Sequence, residues 1–198
     1  MSWPPETLQT ARLRLRKPLA SDAEAVFGQL SGDAEVTRHL GWLTHHELAQ
    51  SRQQISLDLL RWSRGSAWTW IVELDAHPVG MFRYSLVEPH MLRIGVMLAR
   101  RHHGQGLMSE VTRRMIDEAF RVSAFHRIEA LCDADNLPSR RMLERAGLRC
   151  EGRLASCIIH PNLSSLPRDA WLYAISRQQA QDAALIHPHR IPLEPSAP

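Results

Sequence analysis

The chain has 198 residues, of which 44% are hydrophobic and 23% are charged. This is the composition of an ordinary globular domain, and it excludes a disordered chain, a collagen-like fibre and a coiled-coil rod. Apolar stretches such as residues 97–99 are short, whereas a membrane-spanning helix needs ~20 apolar residues. We therefore predict one domain over residues 1–198 that has no membrane partner.

The formal net charge is +3 and the isoelectric point is near 9.1. A basic balance raises the question of whether the protein binds phosphates or nucleic acid. The excess is small for a nucleic-acid binder, and arginine carries it because Lys17 is the only lysine. The positions of the arginines along the chain therefore indicate whether the positive charge serves a local phosphate site or a nucleic-acid surface.

The first residues lack a basic segment followed by an apolar one, so we expect no secretory signal and a cytoplasmic protein. The three cysteines form no Cys-x-x-Cys pair, which favours reduced thiols over a disulfide framework. Adjacent histidine pairs have no third ligand at a suitable spacing. We therefore predict that the protein has no metal site.

In the first half of the chain, polar and apolar residues alternate over residues 12–16, which predicts a strand. Capping-box patterns at residues 21–24 and 44–47 predict two helices, which end near Gly32 and Arg64. Three β-rich runs follow, separated by turn sequences, over residues 67–74, 79–87 and 91–98.

In the second half, apolar residues recur at helical spacing from Gly106 to about Phe120. A strand over residues 127–133 precedes a helix that begins after Asn136 and ends at Gly147. The last two strands are predicted over residues 148–159 and 169–175. The order indicates a mixed α/β domain with its core over residues 8–177 and an extension, 178–198, with a proline-rich tail.

Residues 94–110 carry the clearest chemical signal. A strand runs into a basic loop with two glycines and then directly into a helix, so free backbone amides and the positive end of the helix dipole converge. That arrangement can hold a pyrophosphate, although similar turns also occur without a ligand. The sequence has neither a P-loop motif nor G-x-G-x-x-G after a strand, which argues against both of those nucleotide sites.

This loop, with Asn136-x-x-Ser139 and residues 144–148 downstream, resembles the GCN5-related N-acetyltransferases (GNAT). Other segments look like the ribosomal-protein N-terminal acetyltransferase branch, the RimJ/RimL type: residues 13–16, 22–24, 39–42, 94–95, 126–130 and 151–154. The resemblance covers roughly residues 8–177. It implies a single GNAT-like α/β domain with a mixed, twisted sheet of about seven strands, splayed between the fourth and fifth and flanked by about four helices.

The resemblance also implies acetyl-coenzyme A as the cofactor, without a metal. The family's phosphate motif fits in two registers, beginning at Arg101 or at His103, and we prefer the second because it keeps the flanking strand and helix in place. In that register His103 and Met108 depart from the family pattern, and Met108 puts bulk near the cofactor. The implied cofactor contacts are Val96, Met97, Leu98, His103, Gly104, Gln105, Gly106, Leu107, Met108, Ser109, Asn136, Arg140 and Arg145.

By the same resemblance, the backbone of Met97 and Leu98 pairs with the pantetheine arm, and an amide near Val96 or Met97 polarises the thioester carbonyl. Many relatives use a tyrosine as the acid, but Leu143 stands there, so Ser139 is the implied acid. Alternatively, Ser139 only bonds nearby backbone in the first helical turn. Glu151 is the implied base, acting through a water, or else a solvent-facing strand residue.

For the acceptor, Asp169 is expected to bind the substrate ammonium, to order Arg168, or simply to form an ion pair. Trp42 is expected in the wall of the acceptor pocket, and one or both of Trp68 and Trp70 in the core. We expect a monomer or homodimer that acetylates a peptide or protein N-terminus. The alternatives are a small amine, such as a polyamine or an aminoglycoside, and a coenzyme A-binding module without catalysis; nucleic-acid binding rests on the isoelectric point alone.

Overall fold

The computed structural model describes residues 3–186. Its strands are β1 (Thr7–Gln9), β2 (Arg14–Arg16), β3 (Ala67–Leu74), β4 (His77–Glu88), β5 (Met91–Leu98), β6 (Arg127–Asp133), β7 (Arg149–Ile158) and β8 (Arg168–Ser176). Its α-helices are α1 (Ala23–Val26), α2 (Ala34–Thr37), α3 (Leu48–Arg64), α4 (Leu107–Ala119), α5 (Leu137–Ala146) and α6 (Arg177–Ile186). The predicted proline-rich tail lies outside the described residues. None of the described helices is both long and apolar enough to cross a membrane.

The strands form one eight-stranded sheet in the order β1-β2-β3-β4-β5-β6-β8-β7. The neighbours β5 and β6 are parallel, and they pair only over Met91–Arg93 and Arg127–Glu129 before they separate. This separation is the predicted splay, since the fourth and fifth predicted strands are β5 and β6 once β1 is counted. The mixed α/β fold is confirmed. The sequence prediction missed β1, because a three-residue strand with one buried side chain, Leu8, shows no measurable alternation.

The helices cover both faces of the sheet. Trp70 and Phe82 lie in one apolar cluster with residues of α4 and α5. Ile71 and Met81, which alternate with them, lie in a second cluster with Ile55 of α3 and residues of α1. The turn into α4 therefore serves one face of the sheet, and α3 closes the other.

The first two predicted helices begin differently from the prediction. The chain before α1 opens as a 3₁₀ turn, and the carboxylate of Asp22 accepts the backbone N–H of Leu19 at 2.7 Å, in place of the predicted pair Ser21 and Glu24. Helix α3 begins at Leu48, where Gln50 Oε1 accepts the N–H of Glu47 at 3.0 Å. In both cases, a polar residue other than the predicted ones supplies the side-chain oxygen that caps the helix.

Candidate active site

The turn between β5 and α4 has two left-handed glycines. Gly104 has a φ of 77° and Gly106 has a φ of 73°, a region that other residues enter at a cost. Gly106 caps α4, whose first N–H groups have no partner within the helix. The turn therefore presents backbone donors and the positive end of a 13-residue helix to one place, as the sequence predicted.

A side-chain clamp holds this turn against the first hairpin. Arg12 donates Nη1–H to the carbonyl oxygen of Gln105 at 3.2 Å and pairs with Glu110 of α4 at 2.7 Å. Glu110 also accepts the hydroxyl of Thr10 at 2.6 Å. Burial raises the pKa of Glu110, but the hydrogen bonds from Thr10 and Arg12 outweigh it and hold the pKa below its ordinary value. The clamp thus pairs the acidic residue in the first turn of α4 with a cation.

The exposed backbone edge of β5 faces the gap. In an antiparallel pair, residues alternate between those whose backbone groups bond the partner strand and those whose groups point away from it. The N–H of Ala99 bonds the carbonyl oxygen of Val79, so Met97, two residues earlier and opposite Met81, also directs its backbone groups toward β4. The backbone groups of Val96 and Leu98 point the other way, where β6 has departed. The prediction for Met97 therefore changes: its backbone is used within the sheet, and its side chain lines the pocket described below.

His103 and Met108, which depart from the family pattern, have clear places. His103 Nε2 lies 2.8 Å from the carbonyl oxygen of Leu98, so the imidazole closes the turn onto β5. Met108 is buried, and its methyl group lies 3.3 Å from where a Cβ on Gly80 would stand. This side chain fills the space above β4 beside Gly80, and the expectation that Met108 brings bulk near the cofactor stays a prediction. Its backbone N–H remains in the first turn of α4.

The flanking residues of that turn contribute to packing. Leu107 is buried in the main apolar cluster. Ser109 is buried and donates its hydroxyl to the carbonyl oxygen of Met142 at 3.3 Å, which joins α4 to α5. For both residues, only the backbone N–H groups are available to a cofactor.

Asn136 and Ser139 stand together at the start of α5. Asn136 Oδ1 accepts the N–H of Ser139 at 3.2 Å, so Asn136 is the N-cap that the sequence predicted. The hydroxyl of Ser139 lies beside the thiol of Cys132, whose pKa burial raises and which donates to the carbonyl oxygen of Asn136 at 3.4 Å. Ser139 is half-buried, beside the C-terminal end of β6, where β5 and β6 have already separated.

Arg140 and Arg145 of α5 differ in their surroundings. The Arg140 guanidinium lies 4.9 Å from the ring centre of Trp171, and its Nε–H donates to the hydroxyl of Tyr173 at 3.3 Å. Arg145 is exposed, and its carbonyl oxygen accepts from Arg113 of α4 at 2.7 Å. Arg140 is thus stacked on β8, whereas the Arg145 side chain is open to a ligand.

Glu151 lies on β7, at the far edge of the sheet. Both of its carboxylate oxygens accept from Arg127, at 3.0 and 2.5 Å, and this pairing holds the pKa of Glu151 below its ordinary value. Arg127 pairs opposite Met91, five residues before Val96, which is about 16 Å along a strand. To act on an amine beside Val96, Glu151 needs Arg127 to release it and a chain of waters to bridge that separation.

Asp169 is bonded within its own hairpin. Its carboxylate accepts the N–H of Ser156 at 2.9 Å and pairs with Arg153 at 2.8 Å. Arg168 pairs instead with Asp133 and Asp135. Of the three roles considered for Asp169, the structure shows the ion pair, and it shows that Arg168 is ordered by other carboxylates.

A pocket of about 90 Å³ opens on the α3 face of the sheet, beside the exposed part of β5. Trp42 is half-buried in its wall and contacts His45 with ring centres 4.7 Å apart and ring planes tilted by 38°. Trp68 and Trp70 are buried in the core. The lining residues are Leu40, Trp42, Gln54, Asp58, Thr69, Met81, Arg83, Gly95, Val96 and Met97.

Sequence reasoning missed the polar floor of this pocket, formed by Asp58 and Arg83. Asp58 follows Ile55 and precedes Trp62 on the buried stripe of α3, so a carboxylate occupies a position where the helical period demands an apolar side chain. That was the available signal. Burial raises the pKa of Asp58 despite the nearby Arg83, and burial also lowers the pKa of Arg83.

These features fit coenzyme A. The turn with Gly104 and Gly106 offers amides to a pyrophosphate, and the exposed backbone of Val96 offers an edge to an extended amide chain such as pantetheine. The pocket reaches the same stretch of β5 from the other side. Among residues 3–186, no group of three or more acidic, histidine or cysteine side chains could hold a metal ion.

Comparison with known proteins decides the family. The sequence model of the acetyltransferase (GNAT) domain matches residues 12–149. The chain belongs to the GNAT acetyltransferase family. It is 32% identical over 153 residues to the uncharacterized N-acetyltransferase p20 of Bacillus licheniformis, covering 75% of this chain and 85% of that one. The predicted enzyme class, an acetyl-coenzyme A-dependent N-acetyltransferase, is confirmed.

Two solved structures show the same GNAT fold. Mycobacterium smegmatis RimJ, in complex with coenzyme A disulfide, is 23% identical with a TM-score of 0.81, covering 94% of this chain and 96% of that one. RimL, a ribosomal L7/L12 α-N-protein acetyltransferase in complex with coenzyme A, is 20% identical with a TM-score of 0.78, covering 86% and 98%. The resemblance to the RimJ/RimL type is thereby confirmed at the level of the fold.

Proposed function

We propose that this GNAT enzyme acetylates the free N-terminus of a peptide or protein. The observation that carries the proposal is the pocket beside Val96, which has an aromatic wall and a single acidic lining residue, Asp58. A polyamine presents several ammonium groups and favours several carboxylates, whereas one N-terminal ammonium needs one. The α-N-acetyltransferase named above, which shares the fold, supports the same choice.

The chemistry assigned to the chain follows from the positions of its groups. Acetyl-coenzyme A supplies the acetyl group as a thioester. The acceptor ammonium loses one proton to the base, and its nitrogen then forms a C–N bond as the C–S bond breaks. That nitrogen gives up a second proton to become the amide, and the departing sulfur takes a proton from the acid. We assign the polarisation of the carbonyl to the N–H of Val96, the acid to Ser139 and the base to Glu151, which acts through water.

The experiment that tests this proposal gives the full chain acetyl-coenzyme A and a panel of acceptors. The panel contains peptides with a free N-terminus, the same peptides N-blocked with one lysine, a polyamine and an aminoglycoside. Products are read by mass spectrometry rather than with a thiol reagent, because Cys150 and Cys157 are exposed and would react. We expect acetylation of the free N-termini.

Two other outcomes would contradict the proposal. Preferential acetylation of the polyamine or the aminoglycoside would identify a small-amine enzyme. Thermal stabilisation by acetyl-coenzyme A without any acetylated product would favour a module that only binds the cofactor. Cytoplasmic location and a monomeric or homodimeric state stay predictions, which fractionation and light scattering test.

A further inference from the structure

The carboxylate of Asp58 is fully buried beside the proposed acceptor pocket, and only one of its two oxygens accepts a hydrogen bond from a described residue. Its Oδ1 accepts from Gln54 Nε2 at 2.9 Å, from Arg83 Nη2 and, at 3.4 Å, from Arg61. Its Oδ2 has no hydrogen-bond partner among the described residues. A buried carboxylate oxygen without a donor costs free energy, so one that persists in a pocket indicates a missing ligand.

Arg83 lies beside Asp58, and only part of its guanidinium donates hydrogen bonds to described residues. Its Nε–H donates to the hydroxyl of Thr69 at 2.9 Å, and Nη2 donates to Asp58. No described residue accepts from Nη1, and Arg83 lines the same pocket. Asp58 and Arg83 therefore line the pocket with two charged groups that each keep one atom unbonded by any described residue: Asp58 Oδ2, which is buried, and Arg83 Nη1.

This pair is complementary to a ligand that carries a cationic donor and a carbonyl acceptor a few bonds apart. The first residue of a peptide has that pattern, with its α-ammonium and its carbonyl oxygen. A lysine side chain or a simple alkylamine has the ammonium without the carbonyl. Trp42 and Met81 provide apolar wall for the side chain of the first residue.

We propose that Asp58 and Arg83 together select an α-amine over other amines: the Asp58 carboxylate turns toward the pocket so that Oδ2 accepts from the ammonium, and Arg83 Nη1 donates to the first carbonyl oxygen. This inference rests on the proposed function and names the groups of the acceptor that the pocket recognises, the α-ammonium and the first carbonyl. The two residues determine specificity: they hold the acceptor until it loses its proton, and the roles of Ser139 and Glu151 are unchanged.

The test measures a selectivity ratio, because a purely structural ion pair would alter activity toward all acceptors equally. The ratio is kcat/KM for a free-N-terminus peptide divided by kcat/KM for the same peptide N-blocked with one lysine. In Asp58→Asn and in Arg83→Lys we expect this ratio to fall about tenfold or more relative to wild type, as the loss of one charged hydrogen bond implies. Comparing variants cancels the different intrinsic reactivities of the two amines.

The matched control is Asp182→Asn, an exposed residue of α6 that bonds Gln178, and we expect it to keep the wild-type ratio. Binding of acetyl-coenzyme A, measured by calorimetry, shows that each variant is folded. Variants that bind acetyl-coenzyme A and keep the wild-type ratio would overturn the proposal.

Asp58→Asn leaves Arg83 without its partner, so this variant can fail to fold. Arg83→Lys keeps a cation beside Asp58 and then tests the proposal alone: a selectivity ratio that falls about tenfold relative to wild type supports it, and an unchanged ratio overturns it. If wild type acetylates no amine at all, the proposed function itself fails. Acetylation without α-selectivity removes only this inference.

Discussion

The cofactor side and the acceptor side of this site are built in different ways. The cofactor side is nearly continuous in the chain: β5, a turn with two left-handed glycines, and the start of α4. The pocket proposed for the acceptor is assembled from α3, β3, β4, β5 and the segment after α2. The cofactor side can be predicted from sequence because it depends on local backbone geometry. The acceptor side cannot, because it forms only when the sheet and helices pack together.

The largest expected effect separates chemistry from binding on the cofactor side. If Ser139 protonates the leaving group, Ser139→Ala should lower kcat about 100-fold and leave the affinity for acetyl-coenzyme A near that of wild type. Steady-state kinetics and calorimetry measure the two quantities. The control Ser63→Ala removes an exposed hydroxyl that bonds its own helix. Lost affinity with retained turnover would make Ser139 a cofactor contact.

The next effect sharpens the claim that backbone geometry defines the cofactor side. Gly106→Ala places a Cβ at a φ of 73°, which costs about 1–2 kcal/mol and turns the neighbouring N–H groups as the strain relaxes. We expect binding of acetyl-coenzyme A to weaken about tenfold, measured by calorimetry. In Gly152→Ala, the added Cβ meets no atom within 4 Å, and binding should stay unchanged. Equal binding by both variants would exclude the turn as a pyrophosphate cradle.

The same contrast explains what the sequence could predict. The bounds of β3, β5 and β6 were predicted correctly because alternation and turn residues are local, and Asn136 was recognised as a cap for the same reason. The paired state of Glu151 and the pocket position of Asp58 were not accessible. Each depends on a partner from another element, Arg127 or Arg83, and a single sequence does not reveal that pairing.

A pH profile tests whether Glu151, three strands from β5, serves the reaction. A base must be deprotonated, so activity falls as the pH drops through its pKa, and the pairing with Arg127 holds that pKa low. Arg127→Gln should let the pKa rise and move the acidic limb of kcat/KM to higher pH. Arg149→Gln, an exposed change on β7, should leave it in place. An unmoved limb in Arg127→Gln, with normal turnover in Glu151→Gln, would remove Glu151 from the mechanism.

The smallest effect concerns the clamp that holds the cofactor side to the first hairpin. Arg12 is 47% exposed, so its pairing with Glu110 is screened by water, and Arg12→Ala should lower the free energy of unfolding by less than about 1 kcal/mol. Urea unfolding measures it, with Arg52→Ala as the control for an exposed arginine facing a more distant carboxylate.

The sign of its pH dependence follows from the lowered pKa of Glu110. A carboxyl with a lowered pKa in the folded state adds stability above its unfolded value, near 4.5, and loses it as the pH falls through the folded value. The difference between wild type and Arg12→Ala should therefore be present at neutral pH and shrink in acid. A difference that stays constant across that range would mean that Arg12 acts through packing and its bond to Gln105, without help from the charge of Glu110.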